Sequence, residues 1–409
     1  MTLTIARTPI QSYSLLDPAL DPASLRALGD RIAVFAEHDD RSAAFPWQAL
    51  DEVHRAGLLT ATVGEQWGGR GVSTVESVEL FRELGRGHPS VALITAMTAF
   101  THQSQAVIGY WPTELYERVL AESAERPTLI NAVRAEPELG APARGGLPTT
   151  TLRRTAAGWI LDGHKAFATG AEGLAYHLVW AVTDEPIPRV GHIIVPAFDN
   201  GYLIPGIEII STWDHLGMRA SSTHDVVYRG IEVPFENFSG VPVGEPDGSS
   251  RPGAIGLAVS SLYLGVARAA QEFFLRYANE RVPSSLGRPI ATTERIQSTA
   301  GEIEAQLVQA EELLFALAMR FDRAQAAGDS DALLALGDRA VLAKTLVSRA
   351  AISAVQTAVA ALGNPALTRA NPLERALRDV LCSRPHPPQD DAALLIAGRA
   401  ALKRAEPKS

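Results

Sequence analysis

One cysteine, Cys382, in 409 residues leaves no internal disulfide framework and suits a reducing compartment. Positive charge is also short: 37 Lys and Arg against 46 Asp and Glu give a net charge of −9. That balance disfavours nucleic acid or an anionic membrane as the main partner, although a few local arginines suffice for an anionic cofactor. Apolar runs such as Leu313–Met319 are far too short to span a membrane. The opening MTLTIARTPIQSY lacks a basic stretch followed by an apolar core, so no signal peptide is expected. These absences predict a cytoplasmic protein with neither a nucleic-acid nor a membrane partner.

Several catalytic signatures are missing as well. The ten histidines are scattered without His-Glu-x-x-His or similar spacing, so no metal site is expected. The glycine-rich Glu65–Gly71 has no Gly-Lys-Ser after it and no strand before it, and it reads as a connector rather than a phosphate loop. There is no Rossmann fingerprint, serine elbow, internal repeat or low-complexity segment.

The patterning that is present falls into three textures. Ala23–Glu37, Trp47–Ala56 and Ser73–Leu84 have helical apolar spacing, with Gly57 as a stop. Near residue 128 the chain turns β-rich, with Thr150–Arg154, Trp159–Leu161, His177–Val182, His192–Pro196 and Asp225–Tyr228 separated by turn signals such as Asp162-Gly163 and Asp199-Asn200-Gly201. Ala- and Leu-rich helices then return over Gly253–Glu280, Thr292–Ala327, Asp331–Leu362 and Ala392–Leu402. The expectation is an α+β protein with an N-terminal helical domain (1–127), a middle antiparallel β-domain (128–245) and a C-terminal four-helix bundle (246–409).

Trp213-Asp214-His215-Leu216-Gly217-Met218-Arg219-Ala220-Ser221-Ser222-Thr223 resembles the Leu-Gly-Met-Arg-Ala-Ser-x-Thr signature of the acyl-CoA dehydrogenase superfamily of flavoproteins. Four further segments resemble that family in the same order: Ala135–Gly140, Lys165–Gly170, Tyr277–Arg281 with Leu286-Gly287, and Asn371–Arg375 with Arg378-Asp379. The resemblance implies the three-domain fold and a flavin, FAD or FMN. It implies that Thr169 hydrogen-bonds the N5 edge of the isoalloxazine and that Phe167 packs on the ring. Arg281, with Ser285 in the same stretch, would hold flavin phosphate on a neighbouring subunit, a task suited to the guanidinium fork. A homotetramer built as a dimer of dimers follows from that sharing, helped by the Ala-rich faces of Asp331–Leu362.

Departures from the family pattern carry as much information. Ala135 replaces the Thr whose hydroxyl reaches the pyrimidine side of the flavin. Ala360 replaces a Gln, and Gly363-Asn364 stand where a Gly pair helps seat the adenosine half of FAD. A dehydrogenase of this family needs a carboxylate to remove the α-proton of a thioester. At the usual place this chain has His386-Pro387-Pro388-Gln389, and at the alternative place Ala254-Ile255-Gly256. Both lack an acid, and Gln389 is left facing the cofactor.

A branch that resembles dibenzothiophene monooxygenase does without that Glu and takes reduced flavin from a separate reductase. Its second late His falls on His386, whereas its first is Ser383 here. A neutral imidazole at that place could hydrogen-bond a flavin hydroperoxide or take a proton from a small-molecule substrate. His386 also reads as a plain loop residue. Asp390 and Asp391 read as displaced acids or as helix N-terminal charges, and His102 and Gln103 as substrate contacts or core. Three functions remain open: two-component monooxygenase, acyl-CoA dehydrogenase with a relocated base, and flavin- or acyl-binding protein without catalysis.

Overall fold

A computed structural model describes residues 13–139, 146–245 and 254–404. Most of the amino-terminal stretch read for a signal segment, Gly140 of the Ala135–Gly140 motif and residues 246–253, including Gly253 of the expected helix Gly253–Glu280, lie outside these. Five helices come first: α1 (Pro22–Ser42), α2 (Trp47–Arg55), α3 (Thr74–Gly87), α4 (Pro89–Val107) and α5 (Thr113–Glu125). Their starts follow local chemistry. Asp21 accepts the Ser24 amide ahead of Pro22, and Ser73 with Glu76 forms a reciprocal capping box at α3.

Ten strands follow among the described residues: β1 (Leu129–Val133), β2 (Thr151–Arg154), β3 (Trp159–Ala168), β4 (Leu174–Thr183), β5 (Arg189–Pro196), β6 (Phe198–Asp199), β7 (Tyr202–Leu203), β8 (Ile207–Ile210), β9 (His224–Val233) and β10 (Phe238–Pro242). The main sheet runs β10-β5-β4-β2-β3-β9-β8, with β1 also on β4. It is mixed, which corrects the expectation of a purely antiparallel domain: β1 and β2 both pair parallel to β4. The reason is topological. The chain leaves β4's edge after Val133 and rejoins the same edge further along at Thr151, keeping its direction. Glu136 fills that break, accepting the Thr149 and Thr150 amides and hydroxyls and the Lys165 ammonium (Nζ–Oε1 2.7 Å), with both ionic side chains fully buried. Those bonds outweigh the burial that would raise its pKa and hold the Glu136 carboxyl far below the usual range, at about 2.

The last part is helical: α6 (Ile255–Glu280), α7 (Glu294–Ala326), α8 (Ser330–Leu362), α9 (Pro372–Leu381) and α10 (Asp390–Arg404). Helix α6 belongs to two cores. Phe274 and Leu264 pack with Leu314 and Val355 of the bundle, while Leu262 and Tyr263 pack with Phe81 and Leu84 of the N-terminal helices and with Met218. By length and apolar composition α8 could cross a membrane, the one such helix among the described residues. In this fold it packs against α6, α7 and α9.

Contact between α3 and α6 is close because glycines face each other's backbone. A Cβ on Gly265 would meet the Arg82 carbonyl at 2.0 Å, and one on Gly85 the Leu262 carbonyl at 2.1 Å. Gly265→Ala is therefore expected to lower stability by about 1–3 kcal/mol or more, since the helices must move apart. Gly301→Ala, in open space on α7, should instead raise stability by roughly 0.5–1 kcal/mol. Urea unfolding of both variants checks the pair.

Candidate active site

The segment Trp213–Thr223 joins all three parts of the molecule. Met218 and Ser222 both take left-handed φ values, 53° and 45°, on either side of the single 3-10 turn Arg219–Ser221. Such a backbone is strained for residues with a Cβ and persists only where partners hold it. On one side the Met218 amide donates to Asp379 Oδ1 at 2.7 Å and Trp213 Nε1 donates to the Met218 carbonyl at 3.0 Å. Gly217 lies so close to α9 that a Cβ would meet the Arg378 carbonyl at 2.3 Å. Arg378 grips Asp40 of α1 through two bonds of 2.8 and 2.7 Å and also donates to the Leu216 carbonyl. Arg219 Nε donates to the Asp40 carbonyl.

On its other side the segment holds the turn after β3. The Gly170 and Ala171 amides donate to the Ser221 and Ser222 carbonyls, and Thr223 Oγ1 donates to Thr169 Oγ1 at 3.2 Å. Asn131 of β1 fixes the Thr169 carbonyl at 3.0 Å. Phe167, two residues earlier, has φ 55° and is 65% exposed. An aromatic ring held in a strained conformation and presented to solvent beside a fixed threonine hydroxyl is suited to receiving a flat ring system. Ala135 lies against the same strand end, its carbonyl accepting the Ala166 amide at 2.9 Å.

A second polar group forms where α9 ends. His386 Nδ1 is 3.3 Å from Tyr263 Oη, with the rings edge-to-face. Burial and then the nearby Lys344 ammonium push the His386 imidazole down to about 4, so it is neutral at physiological pH. Burial drives Tyr263 well above its ordinary value, which keeps its hydroxyl proton in place. When Tyr263 donates to Nδ1, Nε2 carries the ring proton and faces away from Tyr263. Cys382 is no nucleophile: burial raises its thiol to about 12, and it packs beside His215. Asp390 opens α10 and is engaged by Arg349 at 3.1 Å and Lys344 at 3.9 Å.

A small cavity lies between α3, α4 and α6, with Thr62, Thr74, Ser77, Gln103, Ala254 and Ala258 among its lining residues. Gln103 thus reaches the cavity, but His102 does not. Its Nδ1 bonds Tyr116 Oη at 2.9 Å in the core, and burial lowers its pKa to about 4. Among the described residues no carboxylate lines the cavity, and Ala254 is on its wall.

The remaining sequence candidates lie on the bundle. Arg281 ends α6 with an exposed side chain, and Ser285 is exposed in the loop beyond it. Gly363 ends α8 with φ 67°, and Asn364 beside it is exposed. Among the described residues no hydrogen bond links these four to the Thr169 turn. Gln389 is partly buried next to Asp390. Sequence reasoning missed Tyr263, Lys344 and the anchoring role of Asp379. Lys344 had a usable signal, since it falls at helical spacing between the apolar Ala340 and Ala351. Tyr263 had none.

This arrangement defines a three-part α/β/α protein whose domains meet at one strained segment. Profiles of the acyl-CoA dehydrogenase N-terminal, middle and C-terminal domains match residues 25–124, 132–231 and 257–387. The chain is 30% identical to the acyl-CoA dehydrogenase homologue YdbM of Bacillus subtilis (strain 168) over 367 residues, 90% of this chain and 92% of that one. It belongs to the acyl-CoA dehydrogenase family. Among solved structures, FMN-bound TdsC from Paenibacillus sp. A11-2 superposes with a TM-score of 0.82 at 22% identity, covering 95% of this chain and 98% of that one. Butyryl-CoA dehydrogenase from Megasphaera elsdenii gives 0.79 at 21% identity, with 95% and 100% covered.

Burial pushes the Asp379 carboxyl up to about 6, so the folded state holds its proton more tightly than the unfolded chain. The sign follows: its contribution to stability is largest below pH 4, declines from pH 4 to 6, and is constant above. In Asp379→Asn that decline should vanish, while one side-chain oxygen still accepts the Met218 amide. Asp379→Ala should cost about 1–3 kcal/mol at pH 4 by leaving that amide buried without a partner, a cost that shrinks from pH 4 to 6 as the wild type alone loses stability. Denaturant midpoints of the three proteins between pH 4 and 8 distinguish the outcomes.

Proposed function

We propose that this protein is a flavin-dependent monooxygenase that receives reduced flavin from a separate reductase and oxidises a small organic substrate. The observation that carries this reading is the absence of a free carboxylate at either place where a dehydrogenase of the family keeps its base. The cavity wall has Ala254, and the loop has His386 followed by Pro387. Proline has no ionisable group and cannot accept the α-proton of a thioester. Asp390, the nearest alternative, is engaged by two cations.

The residues present fit a flavin. Phe167 offers an exposed ring at the end of β3, Thr169 a fixed hydroxyl beside it, and Ala135 the neighbouring backbone. Arg281, Ser285, Gly363 and Asn364 are exposed and would serve the phosphate and adenosine end of a flavin bound on a neighbouring subunit. Bound flavin supplies two-electron chemistry and, when reduced, reaction with O₂. This chain supplies the rest: Thr169 orients the ring edge, and His386 offers a neutral imidazole to the substrate or to oxygen. Gln103, on the wall of the small cavity, would contact the substrate. The same reading places the protein in the cytoplasm as a homotetramer.

Dehydrogenation is the second reading, favoured by the 30% identity to YdbM. Anaerobic mixing of the flavin-loaded protein with a panel of acyl-CoA thioesters separates the two. Loss of the roughly 10²–10⁴-fold supplied by a general base should leave the flavin band nearly unbleached. Rapid bleaching by any thioester would overturn the monooxygenase reading and turn attention to Asp390 and Asp391.

His386→Ala should impair oxygenation and leave flavin affinity nearly intact. Because His386 is neutral above about pH 4, the wild-type rate should be flat from pH 6 to 8, with its acid limb near 4. A limb near 6.5 that His386→Ala abolishes would contradict this.

Arg281→Ala is expected to weaken flavin binding by about 2–4 kcal/mol with the oligomer intact, as measured by fluorescence titration and light scattering. Unchanged affinity, or a monomeric wild type, would remove Arg281 from the site.

A further inference from the structure

Helix α8 buries a cation for which the flavin reading has no use. Lys344 is 2% exposed, on the inward face of α8 with Ala340, Val347, Ser348 and Ala351. Its Nζ lies 3.5 Å from the Arg384 carbonyl and 3.9 Å from Asp390 Oδ1. These two acceptors bracket Pro385-His386-Pro387-Pro388-Gln389. Three of those five residues are prolines without an N–H, so the arch has few backbone donors with which to tie itself down. Its anchors must come from outside. Tyr263 reaches it from α6 through His386, and Lys344 reaches both its ends from α8. Burying an ammonium costs several kcal/mol unless it is partnered, and its partners here are the two ends of the arch.

We propose that Lys344 is a positioning residue for His386: its ammonium clamps both ends of the proline arch to α8 and sets a positive charge beneath the imidazole. The inference rests on the reading of His386 given above, but it makes a claim about the arch that holds with or without turnover. Tyr263 from α6 and Lys344 from α8 face His386 directly; one contact further out, Asp379 and Cys382 at the end of α9 act on Tyr263, Asp390 opening α10 pairs with Lys344, and Arg349 of α8 pairs with Asp390. Lys344 disfavours the imidazolium directly. Asp390 in turn offsets part of the Lys344 charge. Removing Lys344 therefore raises the His386 pKa, and removing the Asp390 charge, which leaves Lys344 less compensated, lowers it.

The test uses the full-length protein with ¹³C-labelled histidine, His386 being assigned by loss of its resonance in His386→Gln. In Lys344→Met the His386 titration should move up from about 4 toward the ordinary value near 6.5. Amide exchange over residues 382–391 should speed up by about tenfold or more. Lys344→Arg should restore both. Asp390→Asn should also speed exchange while moving the His386 titration down, the opposite sign, and it keeps the question answerable if Lys344→Met does not fold. A folded Lys344→Met with unchanged titration and exchange would overturn the proposal, as would Asp390→Asn that moves neither. Because neither readout needs substrate, a failed monooxygenase assay leaves this test unaffected.

Discussion

The structure depends on the grip of Arg378 and Asp379 at the end of α9. Two adjacent side chains bind three domains at once: Arg378 takes Asp40 of α1 and the Leu216 carbonyl, and Asp379 takes the Met218 amide. The Arg378–Asp40 pair is largely buried, a setting in which loss of one partner strands a charge at a cost of about 3–5 kcal/mol. Neither bond could form if the Trp213–Thr223 segment stood off from α9. Gly217 permits the approach, and the left-handed Met218 turns its amide toward the carboxylate.

What this clamp positions is the Thr169 turn. The segment it holds runs directly into Ser221, Ser222 and Thr223, whose carbonyls and hydroxyl fix the Thr169 turn. Strain at Met218 and Ser222 thus goes with a Thr169 held at its hydroxyl by Thr223 and at its carbonyl by Asn131, two residues beyond the exposed Phe167. Glu136 serves the same end from below. It fills the gap between β1 and β2 and bonds Lys165 on β3, two residues before Phe167.

The site also shows how burial decides the protonation of groups that look reactive in a list of residues. Cys382 is the lone thiol, but burial keeps it protonated. His102 is held neutral by burial in the core, where it bonds Tyr116. His386 is neutral as well, lowered first by burial and then by Lys344. The two histidines share a residue type and differ in their neighbours.

Much of this was legible in the chain alone. Helical spacing and turn residues are local properties and suffice for the three-part order, while the resemblance of the ordered motifs to the acyl-CoA dehydrogenase family is what pointed to Thr169, Phe167 and the Pro387 position. Sheet direction was not legible, because turn signals report neighbouring strands, whereas β1 and β2 share the edge of β4 across a long excursion. Nor were the partners of Asp379, Tyr263 and Lys344, which lie 161, 123 and 40 residues away in the chain. Sequence by itself determined which side chains are available and which element carries each. Only the tertiary structure decided which of them meet and how far from water they lie, and hence which carry a charge.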